Sequence, residues 1–219
     1  MADAMKGFRR SAVAWTALTA LLAASAGAVR VAAGREVELV RAEEVHAEPV
    51  AHLGRTLRLR LQLESELADW NPFLTRFGRA DYRAFRAWSD EQFLWNADDW
   101  SAPLAGLFAR RGTAVADALA KLPRYSRFEA VVTVRQVFLS RPWLEVESIA
   151  PLGDSIGEGS ILHASRAMRL RDEERWSAAA EDFERALVGP MPEIARTELR
   201  RLRDEALQNA TSQPDSPSR

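Results

Sequence analysis

The sequence has no cysteine, only two lysines and three histidines, and almost no net charge. The absence of cysteine excludes disulfides, thiol catalysis, thiolate metal ligands and lipid attachment at an N-terminal cysteine. With 30 basic and 31 acidic residues, the chain carries no global field that would draw it onto nucleic acid. The histidines are His46, His52 and His163, and their spacing matches no metal-binding pattern. We therefore predict no metal site and no cofactor.

What is present is typical of a folded protein, because 47% of the residues are hydrophobic and 28% are charged. The length of 219 residues fits one domain with appendages or two small domains.

The N-terminus has the composition of a targeting segment. Three basic residues within the first ten precede an uncharged run over residues 11–29, and small residues at 24–28 form Ala-x-Ala twice. These are the three parts of a secretory signal peptide. The run is also long enough for an uncleaved membrane anchor. Residues 1–28 therefore predict an exported body, either periplasmic or anchored to the cytoplasmic membrane on its outer side.

The clearest strand follows Gly54, where Leu57, Leu59, Leu61 and Leu63 alternate with polar residues. Because side chains on a strand alternate between its faces, the pattern predicts a half-buried strand with the leucines facing inward.

Further elements follow along the chain. Residues 104–110 form a short apolar run, and Thr113 precedes a helical pattern that ends before Pro123. Residues 128–139 and 143–149 are rich in Val, Thr and aromatic residues and predict two strands joined as a hairpin.

Aromatic residues concentrate in residues 70–100. Tyr82, Phe85 and Trp88 recur every three residues, which predicts a short amphipathic helix. The candidate ligand-binding residues of this region, a possible stacking platform for bases or sugars, are Trp70, Phe73, Arg76, Trp95 and Trp100. The alternative is that these side chains only cover the open end of a barrel.

Strands with a helix between the third and fourth β segments resemble the OB-fold, and the resemblance covers residues 36–152. The chain is similar to exported bacterial OB-fold modules in which a Gly-Arg-Thr-like turn opens the first strand, here Gly54-Arg55-Thr56. The resemblance implies an α+β protein with an antiparallel five-stranded barrel, in which residues 70–100 form an aromatic-rich insertion.

The C-terminal part predicts three helices within residues 160–209, after a glycine-rich linker at 151–159. Its small and aromatic residues resemble a tetratricopeptide repeat at Ala167, Ala179, Phe183 and Ala186, followed by Pro190 and Pro192. An ordinary helical hairpin is the alternative. Residues 210–219, rich in serine and proline, predict a disordered tail.

One motif suggests catalysis. Gly153-Asp154-Ser155-Ile156-Gly157 has the spacing of a hydrolase nucleophile elbow, but only His163 follows it as a possible base. A serine hydrolase using Ser155 is therefore a remote alternative, and we predict no catalytic residue.

The patterns favour a non-catalytic binding or scaffold module of the cell envelope that contacts another envelope protein. The alternative is an OB-fold that binds oligosaccharide or nucleic acid through the aromatic set, although the neutral charge disfavours nucleic acid. Membrane contact is expected only through the N-terminal segment, if it is not cleaved, and the sequence indicates no oligomeric state.

Overall fold

A computed structural model describes residues 37–71 and 73–212 of the chain. Its strands are β1 (Thr56–Leu67), β2 (Tyr82–Ser89), β3 (Leu104–Arg110), β4 (Arg127–Phe138) and β5 (Arg141–Pro151). Its helices are α1 (Ala42–Ala47), α2 (Ala97–Ser101), α3 (Ala114–Lys121), α4 (Glu158–Asp172), α5 (Trp176–Ala186) and α6 (Glu193–Ser212). The predicted α+β class is confirmed.

The five strands close into a barrel in the order β1-β2-β3-β5-β4. Four neighbouring pairs are antiparallel, whereas β3 and β5 run parallel. The prediction of an antiparallel barrel is therefore wrong at this one pair. An odd number of strands cannot alternate in direction around a closed ring, so one pair of neighbours has to run the same way.

The leucine face of β1 fills the barrel, as predicted. Leu57, Leu59 and Leu61 are fully buried and Leu63 nearly so. They share one hydrophobic cluster with inward-facing residues of β4 and β5, namely Ala130, Val132, Val134, Leu144 and Val146. Helix α3 adds Ala116 and Leu119 to this cluster. Its predicted cap is present, because the Thr113 side chain accepts a hydrogen bond from the Ala116 amide.

The helix predicted at residues 82–88 is wrong, because this segment is strand β2. Phe85 faces the barrel core, whereas Ala84 and Trp88 belong to clusters on the outer side. A strand buried on both faces has no polar–apolar alternation, so its sequence lacks the period that identifies a half-buried strand. Residues 94 and 95, after this strand, lie in a turn.

The three C-terminal helices pack in chain order, α4 against α5 and α5 against α6. Ala167, Ala179, Phe183 and Ala186 are all fully buried between them. The same hydrophobic cluster contains Trp88, Leu94, Trp95 and Tyr125 from the barrel side, together with Ile156. The barrel and the helices are therefore joined through a common apolar core.

The predicted N-terminal segment, residues 1–28, lies outside the described residues. Of the predicted tail, residues 210–212 belong to α6, and the Thr211 hydroxyl donates to the Leu207 carbonyl at 2.9 Å. The rest of the tail lies outside the described part. Within residues 37–71 and 73–212, no helix has the length and apolar character needed to cross a bilayer.

Candidate functional site

The five residues of the predicted aromatic platform lie in two separate clusters. Trp70 belongs to the loop between β1 and β2, where its Nε1 donates to the Phe77 carbonyl at 2.9 Å and its ring meets Phe108 edge-on at 5.6 Å. Phe77 stacks on Phe108 of β3 with ring centroids 4.3 Å apart. This loop therefore covers the outer face of β3 with its own aromatic side chains.

Two other members of the set lie on the same loop. The Phe73 side chain is 91% exposed. Arg76 is exposed, and its backbone amide donates to the Gln136 side-chain oxygen at 3.0 Å, which ties the loop to β4. Phe73 is thus available for contact, whereas Trp70 is used to hold the loop.

Trp95 lies instead in the loop after β2, and Trp100 lies on α2 directly after it. Trp95 is buried and stacks on Phe93 at 4.9 Å. Trp100 lies 5.2 Å from Trp88, and the Arg124 guanidinium lies 5.1 Å from the Trp100 ring. Because Trp88 belongs to the cluster shared with the C-terminal helices, these tryptophans contribute to the joint between the barrel and the helices.

A cleft of about 720 Å³ lies between α1, the end of β2, the loop after β2 and the start of β5. Its polar lining consists of Glu43, His46, Arg86, Ser89, Gln92, Asp99, Ser101 and Arg141. Ser89 donates to Glu43 at 2.5 Å, and the Ser89 amide donates to Gln92 at 2.8 Å. The volume lies within the range usual for small-molecule sites.

His46 lines this cleft, and Glu91 lies beside its Glu43; both have shifted pKa values. Burial, together with the charge of Arg141, lowers the pKa of His46. Burial and the neighbouring Glu43 carboxylate raise the pKa of Glu91. One buried atom of each side chain, His46 Nε2 and Glu91 Oε2, has no hydrogen-bond partner within the described residues. A neutral imidazole and a carboxyl that retains its proton more readily provide donors and acceptors for a small polar ligand.

The sequence did not predict this cleft as a site. Glu43 and His46 come from α1, Ser89 and Glu91 from around the end of β2, and Arg141 from the start of β5. No local spacing connects these segments, because only closure of the barrel brings them together. Within the described ranges, no group of three or more His, Asp and Glu side chains is arranged to hold a metal ion.

Ser155 of the predicted nucleophile elbow forms a hydrogen bond with the barrel. The Ser155 hydroxyl accepts a hydrogen bond from the Arg127 backbone amide at 2.9 Å. His163 lies on α4, and its Nδ1 is 3.3 Å from a carboxylate oxygen of Asp182 on α5. The two residues that the hydrolase hypothesis requires together thus have different polar partners.

Comparison with known proteins gives no further assignment, because no family model and no curated protein matches the sequence.

Proposed function

We propose that the chain is a non-catalytic binding module of the cell envelope, in which an OB-fold barrel and a tetratricopeptide-like helical unit hold another envelope protein. The strand order β1-β2-β3-β5-β4, with α3 between β3 and β4, supports the OB-fold. The observation that carries the proposal is the exposed face of α4, beside a helical unit too small to form a solenoid alone.

The burial of the C-terminal helices supports the tetratricopeptide resemblance. Ala167, Ala179 and Ala186 are fully buried, so backbones approach closely where repeats of this family have small residues. Phe183 is fully buried in the same cluster. Repeats of this kind bury their apolar faces by stacking on neighbouring units, so a unit with few repeats leaves a face for a partner.

The face proposed for the partner lies on α4. Leu162, Arg166 and Arg169 are exposed and recur at helical spacing, which places them on one stripe of this helix. Leu162 is 65% exposed. Helix α6 packs on α5, at the other side of the helical pair. An apolar side chain flanked by arginines suits a protein partner with an acidic, partly apolar surface.

The absence of catalysis is proposed from the contacts of Ser155. Nucleophilic catalysis needs a base within hydrogen-bond reach of the hydroxyl. The Ser155 hydroxyl is oriented by the Arg127 amide, and His163 is engaged with Asp182. We therefore expect Ser155→Ala to leave the function of the protein unchanged, and an effect of this variant on hydrolysis of ester substrates would revive the hydrolase hypothesis.

The second candidate function is ligand binding by the barrel, for oligosaccharide or nucleic acid. The polar cleft of about 720 Å³ and the exposed Phe73 favour it. An extended stacking platform is disfavoured, because Trp70 is separated from Trp95 and Trp100. The three rings contact different aromatic neighbours.

The test compares the full chain with two matched variants as bait in envelope extracts. Leu162→Asp places a charge on the proposed face, and Leu207→Asp places one on exposed α6. A protein retained by the unchanged chain and by Leu207→Asp, but lost with Leu162→Asp, supports the proposal. Retention of the chain on immobilised glycan or single-stranded DNA, with no protein partner, supports ligand binding instead.

The proposed location has its own measurement. Cell fractionation and the intact mass of the recovered chain distinguish the alternatives, because cleavage near residue 28 removes the basic and apolar N-terminal segment. Recovery of the uncleaved chain in the cytoplasm would contradict the envelope location.

A further inference from the structure

One end of the barrel carries most of the exposed large apolar side chains among the described residues. They occur on the turn before β1, on the loop between β1 and β2, and on the β4–β5 hairpin, and they are Val50, Leu53, Phe73, Leu74, Phe138 and Leu139. We call this set the apolar end. Soluble proteins seldom place several such residues close together without a binding role.

Hydrogen bonds bring the three segments of the apolar end together. The Gly54 amide donates to the Val134 carbonyl at 2.8 Å, which attaches the turn before β1 to the final part of β4. The Arg76 amide donates to Gln136, which attaches the β1–β2 loop to the same part of β4. Phe138 and Leu139 follow directly, where β4 ends and the hairpin turns.

The hairpin tip is an unfavourable place for leucine. Leu139 and Ser140 are the two turn residues, and both have positive φ, 49° and 57°. A two-residue hairpin of this kind favours Asn-Gly, because a bulky side chain is strained at positive φ. Leu139 is also 74% exposed. The residue therefore gains neither conformational nor burial energy within this chain, which favours a role in contact with something outside it.

The first described residues, just before α1, lie at the same end. The Glu38 carbonyl accepts from the Arg58 amide at 2.8 Å, and the Glu38 carboxylate accepts from Arg55 at 2.7 Å. The bridge between Leu39 and Arg58 is parallel, so the described chain begins, at Val37, beside the start of β1. Only residues 30–36 separate this point from the uncharged run at 11–29, and seven residues span at most roughly 25 Å.

Charge at the apolar end is suited to an anionic surface. Among the described residues, exposed Arg76 and Arg141 have no ion-pair partner, whereas Glu38 is neutralised by Arg55. Glu48 is the opposing acidic residue without an ion pair in the same region. Two unpaired arginines beside exposed apolar side chains match the combination that holds proteins at anionic lipid headgroups.

We propose that the apolar end lies against a lipid bilayer, with Phe73 and Leu139 inserted at the headgroup boundary and Arg76 and Arg141 on anionic headgroups. The proposal rests on the proposed envelope location with the N-terminal segment uncleaved, the alternative that keeps this end within reach of the membrane. It adds a membrane contact that the sequence analysis did not predict. Helix α4 carries none of the residues of the apolar end, so it stays available to its partner.

The absence of cysteine permits a direct test with single-cysteine variants of the full chain. Phe73→Cys and Leu139→Cys report on the apolar end, and Val188→Cys and Leu207→Cys are controls at exposed apolar positions on the helical side. Each variant carries an environment-sensitive nitrobenzoxadiazole label and is mixed with vesicles of phosphatidylethanolamine and phosphatidylglycerol. We expect a blue shift of the emission, and quenching by brominated acyl chains, at 73 and 139 but not at 188 and 207.

Further variants test the charge contribution. Arg76→Glu combined with Arg141→Glu should abolish the blue shift at 139, whereas Arg169→Glu combined with Arg200→Glu on the helices should preserve it. Co-flotation of every labelled chain with the vesicles verifies attachment, and circular dichroism verifies folding. Equal emission at all four label positions in attached chains, or no attachment of any chain, overturns the inference. The vesicle experiment contains no partner protein, so its failure is separate from failure of the partner experiment.

Discussion

Arg127 of β4 holds both carboxylate oxygens of Asp90, with Nε and Nη2 donating at 2.6 and 2.5 Å. The Nη1 atom of the same guanidinium donates to Asp154, and the backbone amide donates to Ser155. Asp90 follows β2, whereas Asp154 and Ser155 lie between β5 and α4. The hydrogen bond to Asp90 is the main cause that raises the pKa of Arg127. One side chain thus joins the barrel to the segment that enters the helices.

The first prediction concerns this ion pair. Arg127→Met leaves the buried Asp90 carboxylate without its partner, and we expect the free energy of unfolding to fall by about 3–5 kcal/mol. Arg201, whose pairs with Glu198 and Glu205 lie on an exposed helix face, supplies the control. Arg201→Met should change stability by less than about 1 kcal/mol.

Urea denaturation of both variants measures the difference, and Arg127→Met combined with Asp90→Leu should recover part of the loss, because it removes the unpaired charge. Similar stabilities for the Arg127 and Arg201 variants would show that the buried pair has no special role.

The second prediction concerns the approach of Gly189 to α4. A methyl group at Gly189 would overlap the Ser160 hydroxyl, whereas one at Gly159 would meet no atom within 4 Å. Gly189→Ala should therefore destabilise the protein by about 1–3 kcal/mol, and Gly159→Ala, within a helix, should leave it unchanged or more stable.

A double variant checks the cause. Ser160→Ala removes the overlapping oxygen, so the cost of Gly189→Ala should shrink in that background when thermal unfolding is compared across the four proteins. A cost that is the same in both backgrounds would place the strain elsewhere.

The third prediction is a pH dependence at Glu91. Its folded pKa is raised above the ordinary value of 4.5 by burial and by Glu43. Its contribution to stability is therefore complete below pH 4.5 and is lost as the pH rises through the folded pKa. Glu91→Gln keeps the side chain neutral, so it should make the protein more stable at pH 7, with little difference near pH 4.

Stability measured by urea denaturation at several pH values between 4 and 8 provides the test. The exposed Glu48→Gln is the matched control, and its curve should run parallel to that of the unchanged protein. A Glu91→Gln variant that is less stable at pH 7 would show that the charged carboxylate makes a favourable contact.

The sequence predicted an element correctly where that element has one buried and one exposed face. The leucines of β1 are buried in the positions that their alternation predicts, and Thr113 caps α3. It was insufficient for β2, because Phe85 packs inside the barrel while Trp88 packs outside it against the helical cluster. A hydrophobic periodicity appears in a sequence only when one face of the helix or strand is exposed to water and the other is buried.

The candidate sites were harder to predict from the sequence than the strands and helices. Trp70 and Trp100 were predicted to form one platform but belong to different clusters, since strand β2 lies between them in the chain. Glu43, Ser89 and Arg141 are distant in the sequence but line one cleft. Proximity of this kind depends on how the barrel closes, and no short window of residues encodes it.

The parallel pair of strands determines where the barrel is easiest to open. The register of β3 and β5 joins only Leu107 to Leu144 and Phe108 to Glu145. Gly106, with φ of 96°, brings β3 so close to β5 that a side chain there would press on the Pro142 carbonyl. Amide protons along this pair should exchange with deuterium earlier than those between β1 and β4. Transient opening would then convert the ring into a curled sheet whose edges are β3 and β5, the strands able to accept a further strand from another chain.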